Sequence, residues 1–252
     1  MSDAALALPS GYHLHAFAAV GSTNDEAKAL ARAGAPPGTL VWAREQTGGR
    51  GRRGRVWQSP PGNLYLSLVL RPDQPPAITA QLGFVAAVAL GVALRVLTPL
   101  ADRLRFKWPN DLLLDGCKIA GILLESEIAA SDRVDFVVIG IGVNIASAPS
   151  GVEYPAISLA AVGAAIDPED LLPEFTRQFD RWERCWQQEG FGPVRAAWLD
   201  GAGGLGDGIR VRLERSTLYG RFCDLDQDGA LVLEAAEGRR RIAAGEIFLA
   251  AG

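Results

Sequence analysis

Histidine is nearly missing from this chain of 252 residues: His13 and His15 stand close together near the start, and none follows. Everything downstream therefore lacks the means for a histidine-dependent triad or a histidine-rich metal site. Cysteine is almost as scarce. Cys117, Cys185 and Cys223 lie far apart with no C-x-x-C, which argues against structural zinc and suits a reducing cytoplasm. No apolar run is long enough to cross a bilayer; the longest, Leu82–Leu94, stops at Arg95 and reads as a buried helix. Met1–Ala4 has no basic stretch leading into an apolar core, so neither a secretory signal nor a membrane partner is expected. Lysine is the most telling scarcity, with Lys28, Lys107 and Lys118 set against 22 arginines. In so arginine-biased a chain, lysine persists where an ammonium is specifically needed. Lys28 reads as an ordinary helix-surface residue, which turns attention to Lys107 and Lys118. The net charge of −4 disfavours a general nucleic-acid binder.

Against that background one stretch stands out, Gly49-Arg-Gly-Arg-Arg-Gly-Arg-Val-Trp57. Four guanidiniums within six residues repel one another in a compact turn, a cost that a bound anion relieves, since arginine offers a planar fork of donors to phosphate or carboxylate. The interleaved glycines let the backbone approach such a ligand. Gly49, Gly51 and Gly54 also spell G-x-G-x-x-G. A dinucleotide fingerprint must open a helix, whereas here Ser59-Pro60-Pro61-Gly62 and then the strand-like NLYLSLVL of 63–70 follow. A solvated basic loop, or a nucleic-acid patch, is the plainer alternative.

Patterning predicts strands over 12–17, 39–44, 63–70, 103–108 and 134–139, and a hairpin of 112–114 with 118–125 about the turn Asp115-Gly116. Helices are predicted from Ser22 to Arg32, where Thr23 and Glu26 have capping-box spacing, and over 78–97, 157–164 and 168–189. The five glycines of 201–208 read as a linker. Short strands at 209–214, 217–225, 230–235 and 239–243 then suggest a small β-barrel. The result is an α+β architecture, mostly antiparallel sheet with helices on one side, divided into residues 1–203 and 204–252.

Four motifs fall in order at strand ends or loops. Ser22-Thr23-Asn24 is on its own a helix cap, although a helix N-terminus can also bind the polar end of a small molecule. Gln46 leads the glycine-arginine loop. Lys107-Trp-Pro-Asn-Asp111 reads as a strand ending in a turn, which leaves its lysine unexplained. Lys118-Ile-Ala-Gly121-Ile-Leu-Leu-Glu125, followed by Gly140-x-Gly142-x-Asn144 at the end of the 134–139 strand, reads as a tight hairpin packed closely on a neighbour, with the glycines serving backbone approach.

Taken together with S-P-x-G-N-L-Y-L-S from Ser59 to Ser67, these motifs resemble the biotin protein ligases, strongly over about 12–145 and more weakly in the C-terminal barrel. The resemblance implies a class II synthetase-like catalytic fold followed by a small SH3-like β-barrel. It implies ATP and biotin as substrates, Mg2+, and a biotin carboxyl carrier protein as acceptor. By position, Ser22, Thr23, Asn24 and Gln46 would hold the fused rings of biotin, with Arg50, Gly51 and Arg52 closing over the ligand and Gly121 beside it. Lys118 would meet the biotin carboxylate and, with Arg52, serve catalysis. Arg55, Trp57, Lys107, Asn110, Asp111 and Asn144 would surround ATP, with Asp111 also considered for orientation or proton acceptance. Roughly 20 residues precede Ser22, fewer than the ~50 a folded domain needs, so the chain is expected to be monofunctional, without a helix-turn-helix and without DNA as a partner. A homodimer stays open. A lipoate or octanoate ligase, and a non-catalytic biotin-binding regulator, are the competing readings.

Overall fold

Residues 64–70 (LYLSLVL) are apolar at almost every position, so they can form a strand only if both its faces are covered. The computed structural model, which describes residues 6–129, 132–164 and 166–249, shows how. Met1–Ala4, read above for a signal, lies outside that range. In chain order the first part comprises β1 (His13–Phe17), α1 (Thr23–Arg32), β2 (Thr39–Ala43), β3 (Leu64–Leu70), α2 (Pro76–Thr79), α3 (Leu82–Leu97), β4 (Leu104–Lys107), β5 (Asp111–Leu114), β6 (Cys117–Ile128), β7 (Val134–Val143), α4 (Pro168–Glu189) and α5 (Phe191–Asp200). The strands form one seven-stranded sheet in the order β1-β2-β3-β7-β6-β5-β4. Only β1 and β2 run parallel; every other pair is antiparallel.

Alternation along the strands sorts their side chains onto two faces. Leu40, Leu66, Leu68, Ile139, Ile141 and Ile122 join the main core beneath α3 and α4. Val41, Val69, Val138 and Phe136 point the other way and meet Ala27 and Ala31 of α1. The long helices thus lie on one side, as expected, while the short α1 covers part of the opposite face and accounts for the complete burial of β2 and β3. Being only ten residues long, α1 leaves the rest of that face to the site.

Several elements differ from expectation. The apolar segment 78–97 breaks between α2 and α3, and nearly all of α3 is buried. Strand β7 does not stop at Ile139 but runs through Gly140 and Gly142 to Val143. The helix expected over 157–164 is a single 3-10 turn, Ala160–Val162, because the backbone just before it pairs with β6 instead: Lys118 N–H donates to the Pro155 carbonyl at 2.7 Å, and Ile157 N–H to the Lys118 carbonyl at 3.0 Å. Helix α5 had no clear signal in its Gly- and Pro-containing sequence.

The C-terminal strands β8 (Gly208–Arg212), β9 (Thr217–Leu225), β10 (Leu231–Ala235), β11 (Gly238–Ile242) and β12 (Glu246–Leu249) form a second, antiparallel sheet, ordered β11-β10-β9-β8-β12. Strand β12 was not anticipated. Ile209, Val211, Phe222, Leu231, Leu233 and Ile247 of this sheet share one apolar cluster with the first. Trp198 of α5 is the junction, its ring 5.9 Å from Phe106, 5.5 Å from Phe84 and 6.4 Å from Phe222 between centroids. The glycine segment read as a linker is fastened to the sheet edge: Phe106 N–H donates to the Gly201 carbonyl and Gly203 N–H to the Phe106 carbonyl, both at 2.8 Å. A Cβ on Gly201 would lie 2.7 Å from the Phe106 ring, so glycine here serves close packing rather than flexibility.

Candidate functional site

Beyond α1 the helix-free face of the sheet carries a row with little side chain. Strand register aligns Ser67 with Gly140 and Leu123, and aligns Gly142 with Gly121, Asp111 and Lys107. Glycine at 121, 140 and 142 lowers the floor. A Cβ on Gly142 would sit 2.5 Å from Cε2 of Trp57, and one on Gly140 would collide with the Asn24 carboxamide. The resulting cavity of about 410 Å³ has a size suited to a small ligand. Every residue expected from sequence to serve the site lines it: Ser22, Thr23, Asn24, Gln46, Arg50, Gly51, Arg52, Arg55, Trp57, Lys107, Asn110, Asp111, Lys118, Gly121 and Asn144.

Lys118 reaches the cavity only because β6 is bulged. Asp111 pairs with Gly121 and Leu112 with Ala120, but Leu113 pairs with Lys118, leaving Ile119 as an extra residue. A one-residue shift moves side chains to the other face. Ile119 thereby enters the core with no exposure, while Lys118 turns to the site. Asn144 braces the bulge, its N–H donating to the Ile119 carbonyl at 2.7 Å.

At one end the cavity is neutral and polar. Ser22 is the N-cap of α1, yet its side chain makes no capping bond, and the Thr23–Glu26 capping box does not form. The Thr23 and Asn24 side chains are committed elsewhere. Gln46 Oε1 accepts from Thr23 N–H at 2.8 Å and from the Thr23 hydroxyl at 3.0 Å, and Gln46 Nε2 donates to Ser59 Oγ at 2.9 Å. Asn24 Nδ2 donates to Glu125 at 2.7 Å, and Asn24 Oδ1 accepts from the Ser67 hydroxyl at 2.6 Å. Ser22, Thr23 and Asn24 are each 4% exposed, so this is a built polar wall rather than a solvated helix end.

The other end is cationic. Asp111 lies between the two lysines singled out by sequence, with Lys118 Nζ 2.6 Å from Oδ1 and Lys107 Nζ 3.4 Å from Oδ2. Lys107 is 1% exposed and its ammonium stands 3.9 Å from the centroid of the Tyr154 ring. Burial pushes the Lys107 pKa down, and the Asp111 charge opposes that fall. Lys118 Nζ lies 5.3 Å from the Trp57 ring centroid. Arg52 turns inward, its guanidinium 3.4 Å from Asn110 Oδ1 and 3.3 Å from the Gly245 carbonyl, and burial lowers its pKa.

The remaining loop arginines are anchored at either side of the opening. Arg50 grips Asp25 with two 2.7 Å bonds and also reaches Glu125 at 2.9 Å. Arg55 grips Glu246 of β12 at 2.6 and 2.8 Å. Burial would raise the Glu246 carboxyl, but Arg55 and Arg212 hold it down to about 2. Between these anchors Arg53 has φ 57° and is exposed, and Val56 is 81% exposed. Lys28 is not an ordinary surface lysine: its ammonium lies 3.1 Å from Asp25 and 3.2 Å from Glu125. Sequence reasoning assigned no site role to Ser59, Ser67, Glu125, Tyr154 or Glu246. Of these, Glu125 left a signal, since counting by twos from Gly121 places it on the site face.

Residues 17–144 match the model of the biotin/lipoate A/B protein ligase family, and residues 204–250 that of the biotin protein ligase C-terminal domain. The chain is 45% identical over 233 residues to a biotin–[acetyl-CoA-carboxylase] ligase of Paracoccus denitrificans, covering 90% of this chain and 96% of that protein. It is 39% identical to the bifunctional ligase/repressor BirA of Bacillus subtilis, over 95% of this chain and 74% of the relative. Its fold is similar to a biotin protein ligase from Aquifex aeolicus in complex with biotin and ATP, with a TM-score of 0.81 at 26% identity, covering 94% and 97% of the two chains.

Proposed function

Because this chain belongs to the biotin/lipoate A/B protein ligase family, we propose that it is a biotin protein ligase, which activates biotin with ATP and transfers it to a lysine of a biotin carboxyl carrier protein. In the first step a biotin carboxylate oxygen attacks the α-phosphorus of ATP. An O–P bond forms, the bond to the β-phosphate oxygen breaks, and pyrophosphate leaves with the electron pair. In the second step the neutral amine of the acceptor lysine attacks the acyl carbon. An amide forms, the acyl–oxygen bond breaks, AMP leaves, and the amine gives up its proton.

The observation that bears most weight is the meeting of Lys107 and Lys118 on Asp111 at one end of the cavity. The first step brings two anions together, so catalysis must rest on positioning and on cations placed where charge develops. Lys118 is the ammonium placed for the biotin carboxylate and later the acyl phosphate, and Arg52 is the inward guanidinium beside it. Asp111, engaged by both lysines, orients them. The Ser22-Thr23-Asn24 wall with Gln46 matches a compact neutral ring system bearing donors and acceptors, and the glycine floor matches its apolar edge. Arg55, Trp57, Lys107, Asn110 and Asn144 are assigned to the nucleotide side.

For magnesium, no group of three or more His, Cys, Asp or Glu side chains converges among the described residues. The carboxylates lining the cavity, Asp111, Glu153 and Glu246, are each in ion pairs. The ion is therefore treated as part of the nucleotide substrate, held by its phosphates, and no step is assigned to a protein-bound metal. We further assign residues 1–203 to catalysis and 204–252 to a barrel that closes the site through Glu246. Three free cysteines, Cys117, Cys185 and Cys223, support a cytoplasmic setting.

Incubation with ATP, biotin and a biotin carboxyl carrier domain, followed by mass spectrometry of the carrier, tests the reading. A gain of one biotinyl group is expected. A gain with lipoate or octanoate alone, or none with any acid, would overturn it. Limited trypsin digestion reads the loop: cleavage at Arg53 is expected in the free protein, with strong protection by biotinyl-5′-AMP, whose reactive anhydride must be kept from water. Equal cleavage rates would count against a covering loop.

A further inference from the structure

Within the ligase reading, on which this inference rests, we propose that Glu125 is a positioning residue that sets which way the Asn24 carboxamide faces and so tunes recognition of biotin. A carboxamide has nearly the same shape when its oxygen and nitrogen are exchanged, so only its partners decide its orientation. Asn24 is buried, and the structure gives it two side-chain partners. One is the Ser67 hydroxyl, which can either donate or accept. It does not discriminate. The other is Glu125, which as an ionised carboxylate only accepts. Glu125 therefore requires the Asn24 nitrogen on its side and the Asn24 oxygen toward Ser67.

That choice propagates. The single Ser67 proton is drawn to Asn24 Oδ1, so the Thr23 hydroxyl, 2.8 Å from Ser67 and 3.0 Å from Gln46 Oε1, keeps its own proton for one of those acceptors. Gln46 is oriented independently by the Thr23 backbone N–H, a pure donor. From there Gln46 Nε2 donates to Ser59, and Ser59 donates to the Trp57 carbonyl at 2.9 Å. The polar wall thus has fixed direction at both ends, with Glu125 the fixed acceptor for Asn24.

Glu125 stays ionised because cations surround it. Arg50 Nη2 lies 2.9 Å from Oε2, and Lys28 Nζ 3.2 Å from Oε1. Burial opposes ionisation, but Asn24, Arg50 and Lys28 together hold the carboxyl below its ordinary range. Its neighbours explain why a charged residue occupies a strand position between the core and the cavity. They also explain the position of Lys28, which has no place in the expected chemistry.

Steady-state kinetics of biotin-dependent pyrophosphate release, together with calorimetric titration of biotin without ATP, separates the outcomes for Glu125→Ala and Glu125→Gln. In Glu125→Ala the KM and Kd for biotin are expected to rise about tenfold or more, since Asn24 loses the partner that orients it. The KM for ATP should stay within about twofold, because the nucleotide lies at the far end. Glu125→Gln keeps an acceptor for Asn24 and should recover much of the biotin affinity. Unchanged biotin affinity in Glu125→Ala would overturn the proposal. So would equal rises in both KM values that Glu125→Gln fails to correct, since that pattern marks a general structural role. A wild-type protein that binds biotin but releases no pyrophosphate overturns the ligase reading instead, while the binding titrations still test Glu125.

Discussion

Lys118→Ala is expected to slow biotin-dependent pyrophosphate release by about 10²–10³, the usual consequence of removing one preorganised donor from a site where charge develops. The loss should appear mainly in kcat, because the ammonium matters most as the two anions are driven together. The fold should tolerate the change. Lys118 lies on the cavity side of the β6 bulge, its side chain is 24% exposed, and Asp111 keeps Lys107 as a partner. Single-turnover measurement of biotinyl-5′-AMP isolates the first step from transfer. Adenylate formation at the wild-type rate would remove Lys118 from the mechanism.

Asp111→Ala is expected to act on stability as well as rate, at a cost of about 3–5 kcal/mol, because it leaves a buried charge without its counter-ion. Lys107 is 1% exposed, and what remains near its ammonium is chiefly the faces of Tyr154 and Phe248, at 3.9 and 5.8 Å to the centroids. The pH dependence provides a signature. The folded-state pKa of Lys107 lies below its ordinary value of 10.5, so between the two the unfolded chain binds more protons and stability rises with pH. Removing Asp111 takes away the stronger of the two carboxylates that oppose this depression, leaving Glu246 as the weaker one, so the window widens toward lower pH. The deficit of Asp111→Ala should therefore be largest near neutrality and shrink as the solution becomes alkaline. Urea unfolding at several pH values measures it, and Lys107→Met in the same background should restore much of the stability. A deficit independent of pH, with no gain from Lys107→Met, would show that the unpaired ammonium is not its cause.

The parts of this molecule legible in its sequence are those set by local pattern. Alternating apolar runs identified most strands, and the Asp115-Gly116 turn adopts φ of 49° and 77°, as a two-residue hairpin connection requires. The residues that line the candidate site were legible as types because scarcity marked two lysines and clustering marked the arginines. What could not be read depends on partners distant in sequence. The bulge at Ile119 is a matter of register between two strands, and nothing in KIAGILLE announces it. Ser22-Thr23-Asn24 looked like a cap, and only the distant partners Gln46, Ser67 and Glu125 show that Thr23 and Asn24 form a polar wall while Ser22 makes no capping bond. The glycines of β7 suggested a strand end, whereas the strand continues and the glycines make room for Asn24 and Trp57. Arginine placement was the hardest to foresee. Four look alike in sequence, yet Arg50 and Arg55 grip carboxylates on opposite rims while Arg52 turns inward.

The glycine-rich segment fastened to Phe106 bears on how far this chain is modular. It adds backbone pairing along β4, the last strand of the seven-stranded sheet, where unpaired amides and carbonyls would otherwise invite another chain to add itself. Beyond it, Trp108 donates to the Gly229 carbonyl at 3.0 Å, and Phe248 shields Lys107. Cutting the chain at this segment would not release two self-sufficient pieces. The larger would keep the motifs while exposing an adhesive strand margin and a partly uncovered ammonium, the makings of an aggregating fragment. Recombination with a foreign barrel would succeed only where the newcomer reproduced that seam.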